Sequence, residues 1–589
     1  MNDGSVVVSM PGSEYELDLS TLIESQTGNG AITYAVISNN AATATIAANM
    51  FSAEALGDYT IRATKAQTNY YAMTTDEFVV TVIEGAIYTG DNLVWDDSDN
   101  WSNGVMPETT DRVIINADVE VHVTATVAGL TINEGKTVIV KDGGKLTVGD
   151  GNSLSRTTYG NIIVEAGGQL ILGNGEVNVN DFTLYSGFDA NQQPKSGQVT
   201  GQGKLTTQGH AYFILDLDPS GQASYGWYTF AVPFPVDVMR GVSRYDNGQW
   251  MAITNGVNYA VMAYHEDLRA QGQKGWKKYS GILQPGVGYT MTTECAINRY
   301  RFTKTDAGEF NTSMVQQLQA SAEGETVDRG WNSLGNGTMS YITLDEEPLV
   351  QIYDHASNTY TGFNSASLSF AVGAAYFVQT AANGSELNLT SEGNGTIRRA
   401  PQREQSSNSS FCLSLNADGK LCDNLFITCD DEAEPTYTIG RDVQKMGNTT
   451  GTTLARLWTN AKGTDLCAVC TTYTDNQAII PMHIFAPADG EYTLSIESQP
   501  ADDVYLTRNG IIVWDMNMGD YTVDLNAGAD DSYALQVVRR VQNVATGVED
   551  VDADKHGKIF AEKMIVNGQL FILRDGMLFD AQGKKVTNL

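Results

Sequence analysis

The sequence predicts an all-β chain of several domains, and three observations point there. Its 589 residues include 58 glycines and are rich in Thr, Val, Ile and Tyr, the composition of short strands joined by turns. Apolar and polar residues alternate at period two through most of the length, with few stretches of helical periodicity. A chain this long exceeds one hydrophobic core, and at roughly 100 to 200 residues per domain it divides into about four units, expected as beads on a string.

Residues 1–84 come first. "SVVVSM", "YELDL", "ITYAVI", "ATATIAANMFSA", "DYTIRATKA" and "DEFVVTVIEG" each alternate and end at Gly, Asn or Ser, which predicts a two-sheet sandwich. The stretch "GDYTIRATKAQTNYYAMTTDEFVVTV" resembles the last strands of bacterial immunoglobulin-like modules. That resemblance implies an Ig-like fold, in a kind of module that commonly acts as a spacer.

Residues 85–212 change pattern. "LTINEGKTVIVKDGGKLTV", "IIVEAGGQLIL" and "GQGKLTT" repeat strand, Gly-containing turn and strand, with Leu146 and Leu170 at matching places 24 residues apart. Such a repeat cannot bury its apolar face alone, so stacking into a short solenoid of about five or six turns is expected. "VWDDSDNWSNGVMPETTDRVII", residues 94–115, opens it. There Trp95, Asn100, Trp101, Ser102, Gly104, Pro107, Asp111, Val113 and Ile115 match a segment that starts β-solenoids in bacterial extracellular proteins. The resemblance implies a short right-handed parallel β-helix. An open first turn needs cover, so Trp95 and Trp101 are expected as structural cap residues, with Pro107 and Asp111 setting the turn into "RVII".

Residues 213–390 carry one order twice. "GWYTFAVPFPVDV", "YDNGQWMAI" and "LQPGVGYTMTT" are answered by "GWNSLGNGTMSYI", "IYDHASNTYTGF" and "FAVGAAYFVQT". This predicts a duplicated or single large β-sandwich. Residues 391–410, hydrophilic and nearly free of apolar side chains, read as a linker. Residues 411–541 hold seven strand-like runs, from "FCLSLNA" to "SYALQVV", and predict a C-terminal sandwich of jelly-roll or immunoglobulin-like type. Residues 542–589 pass from an acidic linker into "KMIVNGQLFILRDGMLFDAQGKKV", whose Asn-Gly and Asp-Gly pairs signal hairpins.

Several of these pieces are similar to large secreted or surface proteins of Bacteroidales bacteria. The matching residues are Gly330, Trp331, Asn332, Gly335 and Asn336; Pro285, Gly286, Gly288 and Tyr289; and Arg398, Arg399, Ala400 and Pro401. In the tail they are Gly568, Gln569, Leu570, Ile572, Arg574, Asp575, Gly576, Ala581, Gln582, Gly583 and Val586. A proline expected after Asn336 is replaced by Gly337. The tail resembles sorting domains for type IX secretion. It implies a secreted or cell-surface location, attachment to the outer membrane surface through this segment, and a leader removed from the mature chain, since "MNDGSVVVSM" lacks a signal peptide's basic head and apolar centre.

Charge narrows the partners. A formal net charge of −34 repels a phosphate backbone and anionic lipid, so nucleic acid is not expected. No apolar run approaches the roughly 18 residues of a membrane-spanning helix. Five of the six cysteines, Cys412, Cys422, Cys429, Cys467 and Cys470, fall close together, the sixth being Cys295. "CAVC" has metal or redox spacing but sits in a strand, where positions three apart face opposite sides. A buried thiol cluster or one or two disulfides is expected instead, with pairing left open.

Candidate sites follow from residue type. Trp250, Tyr264 and Trp276 could stack on sugar rings, with Glu266 and Asp267 of "YHEDL" taking hydroxyls; Trp227 and Tyr228 are weaker candidates, because Trp227 matches Trp331 on a strand and core packing competes. Asp96, Asp97 and Asp99, and separately Asp216 and Asp218, offer oxygens at the density calcium needs, the one cofactor considered, though neither stretch matches an EF-hand loop and turn-forming Asx hydrogen bonds are more common in such stretches. The six histidines are scattered, and no nucleophile elbow, zinc-protease or phosphate-loop motif occurs. No enzyme is expected. The functional expectation is a noncatalytic, modular, adhesin-like surface protein with a host or matrix protein or glycan as partner. The alternatives are a carbohydrate-binding accessory protein for host or dietary glycans and, further off, a β-helix polysaccharide lyase or the noncatalytic part of a secreted hydrolase.

Overall fold

The protein is nearly all β in a computed structural model of the chain. Among the described residues the only α-helix is the five-residue Glu266–Ala270. The structure describes residues 6–9, 15–23, 27–39, 41–53, 55, 57–83, 85–90, 92–102, 104–151, 158–190, 193–217, 226–293, 299–305, 310, 314–355, 357–392, 409–496, 500–540, 561–566, 569–574 and 577–580.

The N-terminal strands form two small sheets. Ile32–Val36, Gly57–Lys65 and Thr74–Ile83 pair antiparallel, and Val6–Ser9 joins Thr74–Ile83 in parallel. Tyr15–Asp18, Met50–Ala53 and Ala44–Ala47 make the second sheet. Alternation along Gly57–Lys65 sends Tyr59, Ile61 and Ala63 into the core between them, beside Phe51 and Val80.

Beyond residue 84 the pairing turns parallel. Val119–Val121, Thr137–Val140, Asn161–Val164, Phe182–Phe188 and Ala211–Asp216 stack as one ladder. A second ladder runs through Thr124–Val127, Lys145–Val148, Gln169–Leu172 and Gln198–Gly201, with Leu146 opposite Leu170 and Leu170 opposite Val199. Aliphatic side chains thus stand in register on successive coils and bury one another. Glycine is required where coils approach: a side chain at Gly173 would fall 1.8 Å from the carbonyl oxygen of Gly149.

The expected boundary at 212/213 needs correction. It falls inside the strand Ala211–Asp216, which continues the solenoid ladder on one edge and pairs antiparallel with Arg299–Thr303 on the other. Val242–Asp246 and Gln249–Ala252 extend this sheet to nine strands. One core runs without a break from Ala86 through Phe213 and Phe302 to Val372. The exposed end of the last coil is covered by antiparallel strands from the next segment, so solenoid and sandwich are not separate beads.

The doubled order within 213–390 is a doubled topology. In the first half Trp227–Phe230, Tyr289–Thr293, Tyr259–Tyr264 and Trp276–Lys278 are neighbours in that order. In the second, Trp331–Gly335, Ala375–Gln379, Leu349–Asp354 and Thr359–Asn364 repeat it. The hairpin equivalent to "IYDHASNTYTGF" is therefore Tyr259–Tyr264 with Trp276–Lys278. The "YDNGQWMAI" hairpin serves the solenoid sheet instead.

The C-terminal sandwich sets a nine-stranded sheet, centred on Ser409–Ala417 and Lys420–Cys429, against Gln477–Pro481, Tyr533–Val538, Asp503–Arg508 and Ile511–Asp515. It also packs against the preceding half-sandwich. Trp331 and Phe377 share a cluster with Val443, Met446, Cys467 and Ala468, and Gln351 bonds to the Gln444 carbonyl (2.6 Å) and the Met446 N–H (3.0 Å). Residues 1–539 form one compact unit and 540–589 a second. The second holds a three-stranded antiparallel sheet, Ala561–Val566, Gln569–Arg574 and Met577–Asp580. The Asn-Gly and Asp-Gly pairs between these strands lie outside the described residues, as do the linker positions 393–408.

Candidate binding face

Strand alternation builds the most distinctive surface. In Arg299–Thr303, Tyr300 and Phe302 point into the core at 1% and 0% exposure, which leaves Arg299, Arg301 and Thr303 on the outer side. Cross-strand register then sets Arg301 beside Ile214 and Ser243, and Arg299 beside Asp216. Tyr245 and Trp250 are directly paired on the neighbouring hairpin, their rings 5.1 Å apart. Tyr212 and Tyr185 come from the last two coils of the solenoid.

These side chains interlock. The Arg301 guanidinium carbon lies 4.6 Å from the Tyr212 ring centre and 4.7 Å from that of Trp250, a cation held between two aromatic faces. Its Nε donates to Ser243 Oγ at 3.2 Å. Arg299 donates from two nitrogens to the two oxygens of Asp216 at 2.6 and 2.7 Å, and sits 5.8 Å from Tyr185 and 6.0 Å from Tyr245. The Asp216 carboxylate raises the Arg299 pKa further, so this ion stays charged. Partial burial pushes the hydroxyls of Tyr185 and Tyr212 above the usual tyrosine range. The face is thus a fixed array of aromatic rings and guanidinium groups, neutral at Arg299 and cationic at Arg301.

The expected sugar platform is not one site. Trp250 belongs to this face, whereas Tyr264 and Trp276 lie on another sheet and pack edge-on against each other (5.3 Å) and against Phe377 (4.9 and 5.8 Å). Burial drives the Tyr264 hydroxyl well above its ordinary pKa. Glu266 is 5% exposed and spends its oxygens on Ser321 N (3.0 Å), Ser321 Oγ (2.6 Å) and Gly330 N (2.6 Å), leaving no free acceptor facing solvent. It is a structural bracket and not a ligand group. Asp267 is exposed, 4.0 Å from His265 Nδ1.

Two of the calcium candidates, Asp97 and Asp216, are taken up locally. Asp97 accepts from Asp99 N (3.1 Å) and Asn92 Nδ2 (2.9 Å), capping the short turn Ser98–Asn100, while Asp96 and Asp99 are exposed. Asp216 is occupied by Arg299, and Asp218 lies outside the described residues. Among the described residues no three His, Cys, Asp or Glu side chains gather as a metal site. Trp95 and Trp101 are 3% and 2% exposed, and Trp101 meets both Trp95 and Tyr88 edge-on at the head of the solenoid core. Cys412, Cys422, Cys429, Cys467 and Cys470 form no disulfide with one another.

Arg299, Arg301, Tyr185, Tyr212 and Tyr245 escaped the sequence reading because four separate strands contribute them. The local signal is "RYRFT", where arginine stands at two of the three outward positions. No protein-family model, curated protein or solved structure matches the chain.

Proposed function

We propose that the chain is a noncatalytic, adhesin-like binding protein of the cell surface or extracellular space, and that it engages carbohydrate through the aromatic face around Trp250. The observation that carries this reading is the fixed set of Tyr212, Tyr245 and Trp250 rings on the outer side of a rigid nine-stranded sheet. Aromatic faces bury the C–H faces of pyranose rings, and a sheet holds them without further ordering cost on binding. Secretion and outer-surface attachment through residues 540–589 are part of the same proposal and rest on the tail's resemblance to sorting segments.

Two experiments test it. The purified full chain is applied to a glycan array and to cells, with Trp250→Ala and Tyr245→Ala as controls. Binding that both variants weaken supports the face; unchanged binding moves the contact elsewhere, and no binding to any glycan or cell removes the reading. Protease shaving of intact cells, with and without residues 540–589, tests the location.

A further inference from the structure

We infer that Arg301 is an anion receptor and that the ligand of this face is an acidic saccharide chain, bearing uronate carboxylates or sulfate esters. The inference deepens the carbohydrate reading above and rests on it.

The charge pattern makes Arg301 unusual. The net charge of −34 opposes polyanions at long range but is screened beyond roughly 8 Å at physiological ionic strength, so the local pattern decides, and beside Arg301 the cations are matched: Arg299 with Asp216 and Arg244 with Asp246. Arg301 makes no ion pair among the described residues, and beyond the Nε bond to Ser243 its guanidinium has no hydrogen-bond partner there. The acidic groups bordering the face are already engaged or set apart: Glu165 is bound to Lys141, and Asp181 accepts the His210 N–H at 2.7 Å.

Geometry makes the unmatched charge useful. Tyr212 and Trp250, from strands on opposite sides of the Arg299–Thr303 strand, lie 4.6 and 4.7 Å from the guanidinium carbon, and Ser243 holds the Nε edge, so the guanidinium is placed before any ligand arrives. A guanidinium edge matches a carboxylate or sulfate with parallel N–H···O bonds. The same rings extend beyond the ion as an apolar surface for the sugar that carries it. A free inorganic anion would use the cation but not the rings, which favours a saccharide bearing the acid group. Two residues along the strand, roughly 6.8 Å away, Arg299 could meet a second acid group but is neutralised by Asp216.

The test uses the full chain on immobilised heparin, polygalacturonate and neutral dextran, at constant ionic strength. Acidic polymers are expected to bind and dextran to bind much more weakly. Arg301→Gln is expected to lower acidic-polymer affinity about tenfold or more, and Arg301→Lys to restore part of it. Asp216→Asn, which frees Arg299, is expected to strengthen binding, a gain that misfolding does not produce. If dextran binds as well as heparin through Trp250 and Arg301→Gln changes nothing, the acidic specificity is overturned while the carbohydrate reading stands. If inorganic sulfate displaces heparin no less effectively than free uronate oligosaccharides do, the site is a simple anion site and the saccharide assignment falls. Absence of binding to both acidic polymers overturns the inference outright, leaving the glycan array and cell binding to judge the broader reading.

Discussion

Glu266 accepts the backbone N–H of Gly330 at 2.6 Å and so ties the two halves of the duplicated region together. Gly330 has φ +77°, and a side chain there would meet the Thr380 carbonyl oxygen at 1.9 Å, so this point of the chain requires glycine. Replacing Glu266 with Ala strands that donor and the two from Ser321. The expected cost is about 2 to 4 kcal/mol, with Glu266→Gln costing less because its amide oxygen still accepts. Urea unfolding measures this as a fall in midpoint at unchanged slope. An unchanged midpoint for the alanine variant would refute the bracket.

A second buried link joins the half-sandwich to the C-terminal sandwich. Asp423, Lys445 and Arg456 are all 0% exposed at the side chain; the carboxylate pairs with Lys445 Nζ, lies 3.4 Å from Arg456 Nε and accepts Leu457 N at 2.8 Å. Arg456 in turn donates to the Tyr360 carbonyl of the neighbouring half. Asp423→Ala leaves two buried cations without a counter-ion, and a loss of about 3 to 5 kcal/mol is expected in the same urea measurement.

The same triad has a pH signature. One carboxylate serves two cations, and burial, the largest influence, lowers the Lys445 pKa from its ordinary 10.5. The unfolded chain then binds more protons than the folded one between the lowered value and 10.5, so this lysine's contribution to stability rises with pH across that window. Lys445→Met should flatten the rise. Comparing urea stability of the two proteins at pH 7.5 and pH 9.5 checks it, and parallel profiles would count against the assignment.

What could be read from the sequence was whatever repeats locally. Period-two alternation in "DYTIRATKA" and the register of Leu146 with Leu170 are properties of neighbouring residues, and both appear in the strands and ladders. The repeated Gly-Trp and Gly-x-aromatic strands revealed a duplication whose two sheets share one strand order. Long-range joins were not legible. Nothing in "AYFILDLD" says that its far edge takes "RYRFT" some 80 residues later, and so the boundary at 212/213 was misplaced. Tyr264, Glu266 and Trp276 suggested a site because they are close in sequence and of the right types; the partners that bury them, Phe377, Ser321 and Gly330, are distant. Arg301 shows the converse, since both of its aromatic neighbours come from other strands.

At the head of the solenoid, Trp101 Nε1 donates to the Trp95 carbonyl at 2.8 Å, and the two indoles meet at 4.9 Å. Trp101→Ala removes a large buried side chain from the first coil, and a loss of about 3 to 5 kcal/mol is expected. Trp101→Phe keeps most of the volume but abandons the hydrogen bond and should fall between. Limited proteolysis provides the spatial readout: new cleavage in the alanine variant should begin within residues 92–132. Cleavage confined to the C-terminal sandwich would separate Trp101 from the capping role.

The thiols provide the last prediction. Burial pushes Cys429 up to about 12 and Cys467 up to about 11, and raises Cys422 and Cys470 as well. At pH 8 the thiolate fraction of a group near 12 is on the order of 10⁻⁴, and thiolate is the species that alkylates or binds metal. "CAVC" follows from strand geometry: Cys467 points at the Val443 and Gln444 carbonyls, 3.6 and 3.7 Å from its sulfur, while the Cys470 N–H is bound to Asp442. Iodoacetamide at pH 8 should therefore label half-buried Cys412 in the native protein and reach Cys422, Cys429, Cys467 and Cys470 only after denaturation. Site-resolved mass spectrometry reads the order directly. Rapid native labelling of the "CAVC" pair, or a disulfide among these five, would replace the inert-thiol account with a redox or metal role.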